Sequence, residues 1–153
     1  MRSFKENLKI GALILVAALV VAQFIRIEKT NPPVRADISA DPAVKPMLKR
    51  ACYDCHSNET VWPWYSNVAP ASWLLANDVN EGRENLNFSE WGNYPGESRR
   101  RKLKKIAEEV ESGGMPLWYY SIFHSESKLT PEERNQIKNW AAQAPAEMQE
   151  PLP

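Results

Sequence analysis

Cys52-Tyr53-Asp54-Cys55-His56 is the stretch on which the reading of this chain turns. Two thiols three positions apart on a helical turn, with an imidazole adjoining the second, offer two soft nucleophiles and a nitrogen ligand to one side of a flat body. That is the attachment pattern of a c-type haem. The thiols reach the two vinyl groups on one edge of the porphyrin and form thioethers, while His56 reaches the iron from the same side. Tyr53 and Asp54 are then spacers turned away from the ring. Other uses of these residues need surroundings that the sequence does not provide. A redox dithiol of the thioredoxin kind sits in a βαβ context, and a structural zinc site needs further ligands where only His124 is on offer.

The composition agrees with one small folded unit. The 153 residues are 43% hydrophobic and 25% charged, with 19 Lys+Arg balanced by 19 Asp+Glu, which excludes a disordered, collagenous or polytopic membrane chain. The first 27 residues carry Arg2, Lys5, Lys9 and Arg26 against Glu6, so the excess positive charge lies there and the remainder is net acidic. No broad basic surface for nucleic acid is implied. Six Trp, five Tyr and four Phe, most of them outside the helical patterns, are many for so small a core. A flat apolar cofactor at the centre gives them something to pack against.

Periodicity predicts an all-α domain over residues 37–145, because no stretch alternates long enough to form a strand. A first helix is predicted over Pro46–Cys55, a second over Pro70–Arg83 and a third over Ser98–Ser112. In the third, Leu103, Ile106, Ala107 and Val110 follow the i, i+3, i+4, i+7 rule and Gly113-Gly114 stops the helix. Thr130 as N-cap, Pro131 at the first helical position and Glu133 three residues after the cap open a last helix, with Ile137, Trp140 and Ala141 inward and Pro145 ending it. Long loops remain over Ser57–Ala69, Leu86–Glu97 and Met115–Leu129. Residues 28–36, with Pro32-Pro33, read as a stiff tether, and 146–153 as a tail.

From Ile10 to Ile25 the only non-apolar residue is Gln23. Leu8 to Ile27 would span about 30 Å as a helix, a bilayer core, so residues 1–27 are expected to be one membrane helix. A cleaved signal peptide also fits, since Val20-Val21-Ala22 ends in a small residue. Lys9 and Arg26 then mark the two interfaces. The flanking cations are nearly balanced and leave orientation open.

A sixth iron ligand must come from a distant segment. Ser112-Gly113-Gly114-Met115-Pro116 combines a flexible backbone, a stiffening proline and the soft thioether of Met115, which favours reduced iron. Met47 and Met148 read as packing and tail residues. His124 is the rival ligand, and bis-His ligation would lower the potential. For the proximal imidazole, Pro70 is the expected carbonyl partner of the second ring nitrogen.

At these residues the chain resembles a known family. Cys52–Tyr65, then Trp73, Asp78-Val79-Asn80-Glu81-Gly82-Arg83, Asn87-Phe88-Ser89-Glu90-Trp91 and Met115-Pro116 are similar to the bacterial haem-binding domain family of membrane-anchored monohaem c-type proteins. The order of an early attachment helix, a late Met-Pro loop and a closing helix also resembles class I cytochrome c, apart from the Trp-rich insertion after His56. The resemblance implies a small cytochrome c-like helical domain wrapped around one covalent haem c, with Cys52, Cys55, His56 and Met115 as haem-binding residues and His56 and Met115 on the iron.

Thiols that must meet a haem maturation machinery reduced, outside the inner membrane, place the domain on the periplasmic face, or free in the periplasm if the leader is cleaved. The expected role is single-electron transfer with redox partner proteins, without an enzymatic activity. The alternative is a haem-based ligand sensor or peroxidase-like protein whose sixth position is open. Arg99-Arg100-Arg101-Lys102-Leu103-Lys104-Lys105 opposes the helix dipole and reads either as a solvated face or as a docking patch for an acidic partner or anionic headgroups.

Overall fold

A computed structural model describes residues 3–144, and every regular element among them is helical. The helices are α1 (Phe4–Ala22), α2 (Lys45–Ala51), α3 (Tyr53–His56), α4 (Ala71–Asn85), α5 (Gly96–Ser112), α6 (Tyr120–Phe123) and α7 (Pro131–Ala142). Short 3₁₀ turns at Trp64–Asn67, Phe88–Asn93 and Ser125–Ser127 punctuate the predicted loops. The all-α expectation holds. The tail over 146–153, with Met148, and the helix stop at Pro145 lie outside the described residues.

The predicted first helix is two helices. Cys52 takes φ −130° and ψ −33°, which ends α2 and opens α3. Its N–H still reaches the Leu48 carbonyl, while its own carbonyl accepts from the N–H of both Cys55 and His56. The attachment motif is thus a separate turn, re-aimed relative to the helix before it. The end of α5 and the start of α7 follow the expected local signals. In α5, Gly113 adopts φ +79°, a left-handed conformation that a side chain disfavours, and terminates the helix. At α7 the Thr130 hydroxyl accepts from Glu133 N–H and the Glu133 carboxylate accepts from Thr130 N–H, a closed capping box.

The chain divides into two compact units, each described by itself. One comprises residues 30–61 and those from Val79 on. Its core joins Leu48 and Ala51 of α2, Leu103, Ile106 and Val110 of α5, and Ile137 and Ala141 of α7 to Ile38, Val44, Tyr53, Phe88 and Trp91. Each such aliphatic residue buried contributes about 1.5–3 kcal/mol, which makes this helix packing the main source of stability. The tether is fastened here. Asn31 donates to Thr60 O, Asn58 to Pro33 O, and the N–H groups of Arg35 and Ala36 to Ser89 O.

The basic run divides by helical face. Arg99 is 1% exposed, and its guanidinium donates to the carbonyls of Tyr94 (2.8 Å) and Gly92 (2.9 Å). Lys102 lies over the Tyr94 ring, 4.3 Å from its centroid, and donates to Asn85 O. Lys104 and Lys105 pair on the surface with Glu108 and Glu109, in the geometry of exposed pairs that add little stability.

The other unit comprises residues up to Lys29 together with Trp62–Asp78. No residue of α1 is buried. The apolar stretch expected to run helically to Ile27 leaves the helix after Ala22, so its helical part, Ile10 to Ala22, is about 20 Å long. Lys5, Glu6 and Lys9 occupy the turns before it. Among the described residues no helix is long and apolar enough to cross a membrane. Beyond α1 the backbone is held by side chains: Gln23 pairs both ways with the Ala69 backbone, Trp73 donates to Ile25 O, and Lys29 reaches Ser66 and Asn67.

Candidate functional site

Cys52, which caps α3, and Cys55 and His56 within it are each partly exposed, whereas Tyr53 between them is buried. Burying Tyr53 is what fixes the turn. Its ring stacks on Phe88 with centroids 5.1 Å apart, and its hydroxyl donates to Asp37 (2.7 Å) and accepts from Lys45 (2.5 Å). That environment, first through burial and then through the hydrogen bond to Asp37, drives the phenol's pKa up, so it stays a neutral donor. Asp54 is equally committed. One carboxylate oxygen accepts from Val61 N–H (2.9 Å) and the other from the Tyr120 hydroxyl (2.5 Å). The two residues read as spacers are therefore the anchors that fix the turn carrying the thiols and the imidazole.

His56 is held from behind. Its Nδ1 lies 2.9 Å from Gly82 O and 3.1 Å from Leu86 O, the last turn of α4 and the residue just beyond it. Two carbonyls only accept, so Nδ1 carries the proton and Nε2 keeps its lone pair for a metal. Burial lowers the pKa of the ring, outweighing the two carbonyl bonds, which keeps the imidazole neutral and ligand-competent. The expected partner, Pro70, is replaced by Gly82 and Leu86. The reason is a close approach: a Cβ at residue 82 would stand 2.4 Å from Cys55 O, so only glycine lets α4 pack onto α3.

No disulfide joins the two cysteines. Burial pushes the Cys52 thiol up to about 12, against the lowering effect of Arg50, so it is a protonated thiol at neutral pH. Such a group is slow to oxidise, since the thiolate is the reactive form.

The segment after the motif is braced by polar side chains. Arg83 Nε donates to Ser57 O (2.8 Å), and its Nη2 reaches Thr60 Oγ1 (2.9 Å), whose hydroxyl in turn donates to Asp54 O. The Ser89 hydroxyl accepts from Asn58 N–H, and Asn87 donates to Asn58 Oδ1 (2.8 Å). Sequence reasoning singled out the blocks Asp78–Arg83 and Asn87–Trp91 without a task for them. Arg83, Asn87 and Ser89 from them brace the segment that follows Cys55 and His56.

Met115 hangs on a different support. Its N–H donates to Glu109 O at the end of α5, and its carbonyl accepts from Arg134 of α7 at 2.9 Å. The side chain is partly exposed. Gly113 serves the turn itself, since a Cβ there would meet no heavy atom within 4 Å. Downstream, Trp118, Ile122 and Phe123 present apolar surface to solvent, Trp118 at 75% exposure. His124 is partly buried. Its ring stacks on Tyr120 with centroids 4.2 Å apart and 4° between planes, and Nδ1 faces Glu126 at 3.2 Å. Because Tyr120 bonds Asp54, the 120–124 segment is tied to the attachment turn. Sequence reasoning missed that link.

The donor set fits an iron porphyrin. Two unbridged thiols and a neutral imidazole, its remaining lone pair available, share one turn, and among the described residues no group of three or more His, Cys, Asp or Glu is placed to hold a bare metal ion. A zinc site therefore lacks its ligands here. The comparisons agree. The family model described as a haem-binding domain matches residues 17–143. No curated protein and no solved structure matches the chain.

Proposed function

This chain belongs to the haem-binding domain family, and on that premise we propose that it holds one covalent haem c and passes single electrons at the periplasmic face of the inner membrane. The observation that carries the reading is the α3 turn, where Cys52, Cys55 and a His56 with its Nδ1 proton fixed by two carbonyls stand together. Each thiol adds its S–H across a vinyl group: sulfur bonds one carbon, the proton ends on the other, and no electrons are exchanged with a third party. His56 would hold the iron through Nε2, and a haem so held would supply one-electron chemistry.

Met115 would hold the iron through its thioether. Its segment carries the exposed Trp118, Ile122 and Phe123, apolar surface suited to a porphyrin face. His124, whose Nδ1 faces Glu126, is the rival ligand through its other ring nitrogen. With His56 and Met115 both holding it, a haem here would serve electron transfer rather than substrate chemistry. Residues 1–27 tether the domain to the membrane, where a maturation machinery attaches the haem and redox partner proteins exchange electrons with it.

The test is the spectrum of protein matured with a c-type haem assembly system. Colour that survives acidified organic solvent, with a sulfur-to-iron band in the ferric form, is the expected result. Met115→Ala should abolish that band and leave the colour covalently bound. Pigment extracted from the wild type would remove the covalent attachment from the proposal, and a sulfur band surviving in Met115→Ala would remove Met115.

A further inference from the structure

We infer that the segment Trp62–Asp78 lies in the headgroup layer of a phospholipid bilayer, at the outer end of α1, and supplies the apolar depth that α1 does not reach. The inference rests on the membrane tether proposed above and adds a second surface to it.

The hydrogen bonds of this unit fix the depth. Gln23 Nε2 donates to Ala69 O at 3.1 Å, and Ala69 N–H donates back to Gln23 Oε1 at 3.0 Å. The one polar side chain in the apolar run is thereby closed on itself and suited to a dry environment. Two residues on, Ile25 O accepts from the Trp73 indole at 3.2 Å, and Lys29 donates to Ser66 at 3.1 Å. Wherever the end of α1 sits along the membrane normal, Ala69 and Trp73 sit at the same level.

The surface at that level is apolar. Phe24 is 82% exposed, Trp64 77% and Leu74 52%, with Ile25 and Val68 also open. A hydrocarbon core is about 30 Å thick, and the apolar helix covers about 20 Å of it. A short helix is accommodated by bilayer thinning or by flanking residues that enter the interface, and Trp is the side chain enriched there, with an apolar body and a polar N–H. Arg26 and Lys29, just beyond Ile25 in the chain, are the cations such a layer attracts.

The matured full-length protein in vesicles of phosphatidylethanolamine and phosphatidylglycerol tests this. Nitroxides are placed singly through Val68→Cys, Leu74→Cys, Leu13→Cys and Lys104→Cys, and collisions with oxygen and with a water-soluble nickel chelate are compared. The expected oxygen-to-nickel ratio is highest at residue 13 and several-fold above the Lys104 value at residues 68 and 74. If residue 13 reports hydrocarbon while 68 and 74 match 104, the inference fails and the tether stands. If residue 13 reports water, the tether fails and this inference with it.

Discussion

A methyl group on Gly82 would collide with Cys55 O, and the space is bounded by backbone that cannot swing away. Gly82→Ala should cost about 1–3 kcal/mol in chemical denaturation, because α4 must move off α3. The same displacement pulls two acceptors from His56 Nδ1, so the midpoint potential of the matured protein should shift, whereas Gly11→Ala, in open space, should change neither reading. Tyr120→Phe removes the hydroxyl that donates to Asp54 and should cost about 1–3 kcal/mol by the same measurement. Cys52, Cys55 and His56 were legible from spacing alone, since the motif is local. The acceptor behind His56 was not, because it depends on which distant turn packs against α3, and no periodicity encodes that.

Among the elements, α7 was the most legible, since Thr130, Pro131 and Glu133 form a start signal that needs no tertiary knowledge. Thr130→Ala should lower stability by about 0.5–2 kcal/mol in thermal or urea melts. Glu133 has a second duty that only the fold shows, an ion pair with Arg50 of α2 at 2.5 Å. The Thr130 N–H first, and then Arg50, hold its carboxyl below the ordinary range. A depressed folded pKa contributes stability that is complete at neutral pH and disappears as pH falls through the folded value. Acid titration of stability should therefore steepen below about pH 4, and Glu133→Gln should flatten that part of the curve. The break at Cys52 was illegible, because residues Pro46–Cys55 carry an unbroken helical pattern.

Across the whole molecule, the cationic stretch of α5 shows how a charge pattern misleads. Residues 103, 106 and 110 form the buried stripe, and one turn back that stripe lands on Arg99, whose guanidinium closes the carbonyls of Tyr94 and Gly92 inside the core. Arg99→Met should destabilise by about 2–3 kcal/mol, while Lys104→Met, on the exposed face, should change stability by less than about 0.5 kcal/mol; paired thermal melts decide it. The stripe was readable, but a residue class that is almost never buried without partners concealed its first member.

The core also encloses Trp91, 4% exposed, with an indole nitrogen that meets no acceptor among the described residues. Water reaches that proton only when the interior opens, so in deuterated solvent its signal should outlast those of Trp64 and Trp118. Its decay then clocks the rarest breathing of the fold, a built-in isotope timer against which haem loading or any substitution can be judged.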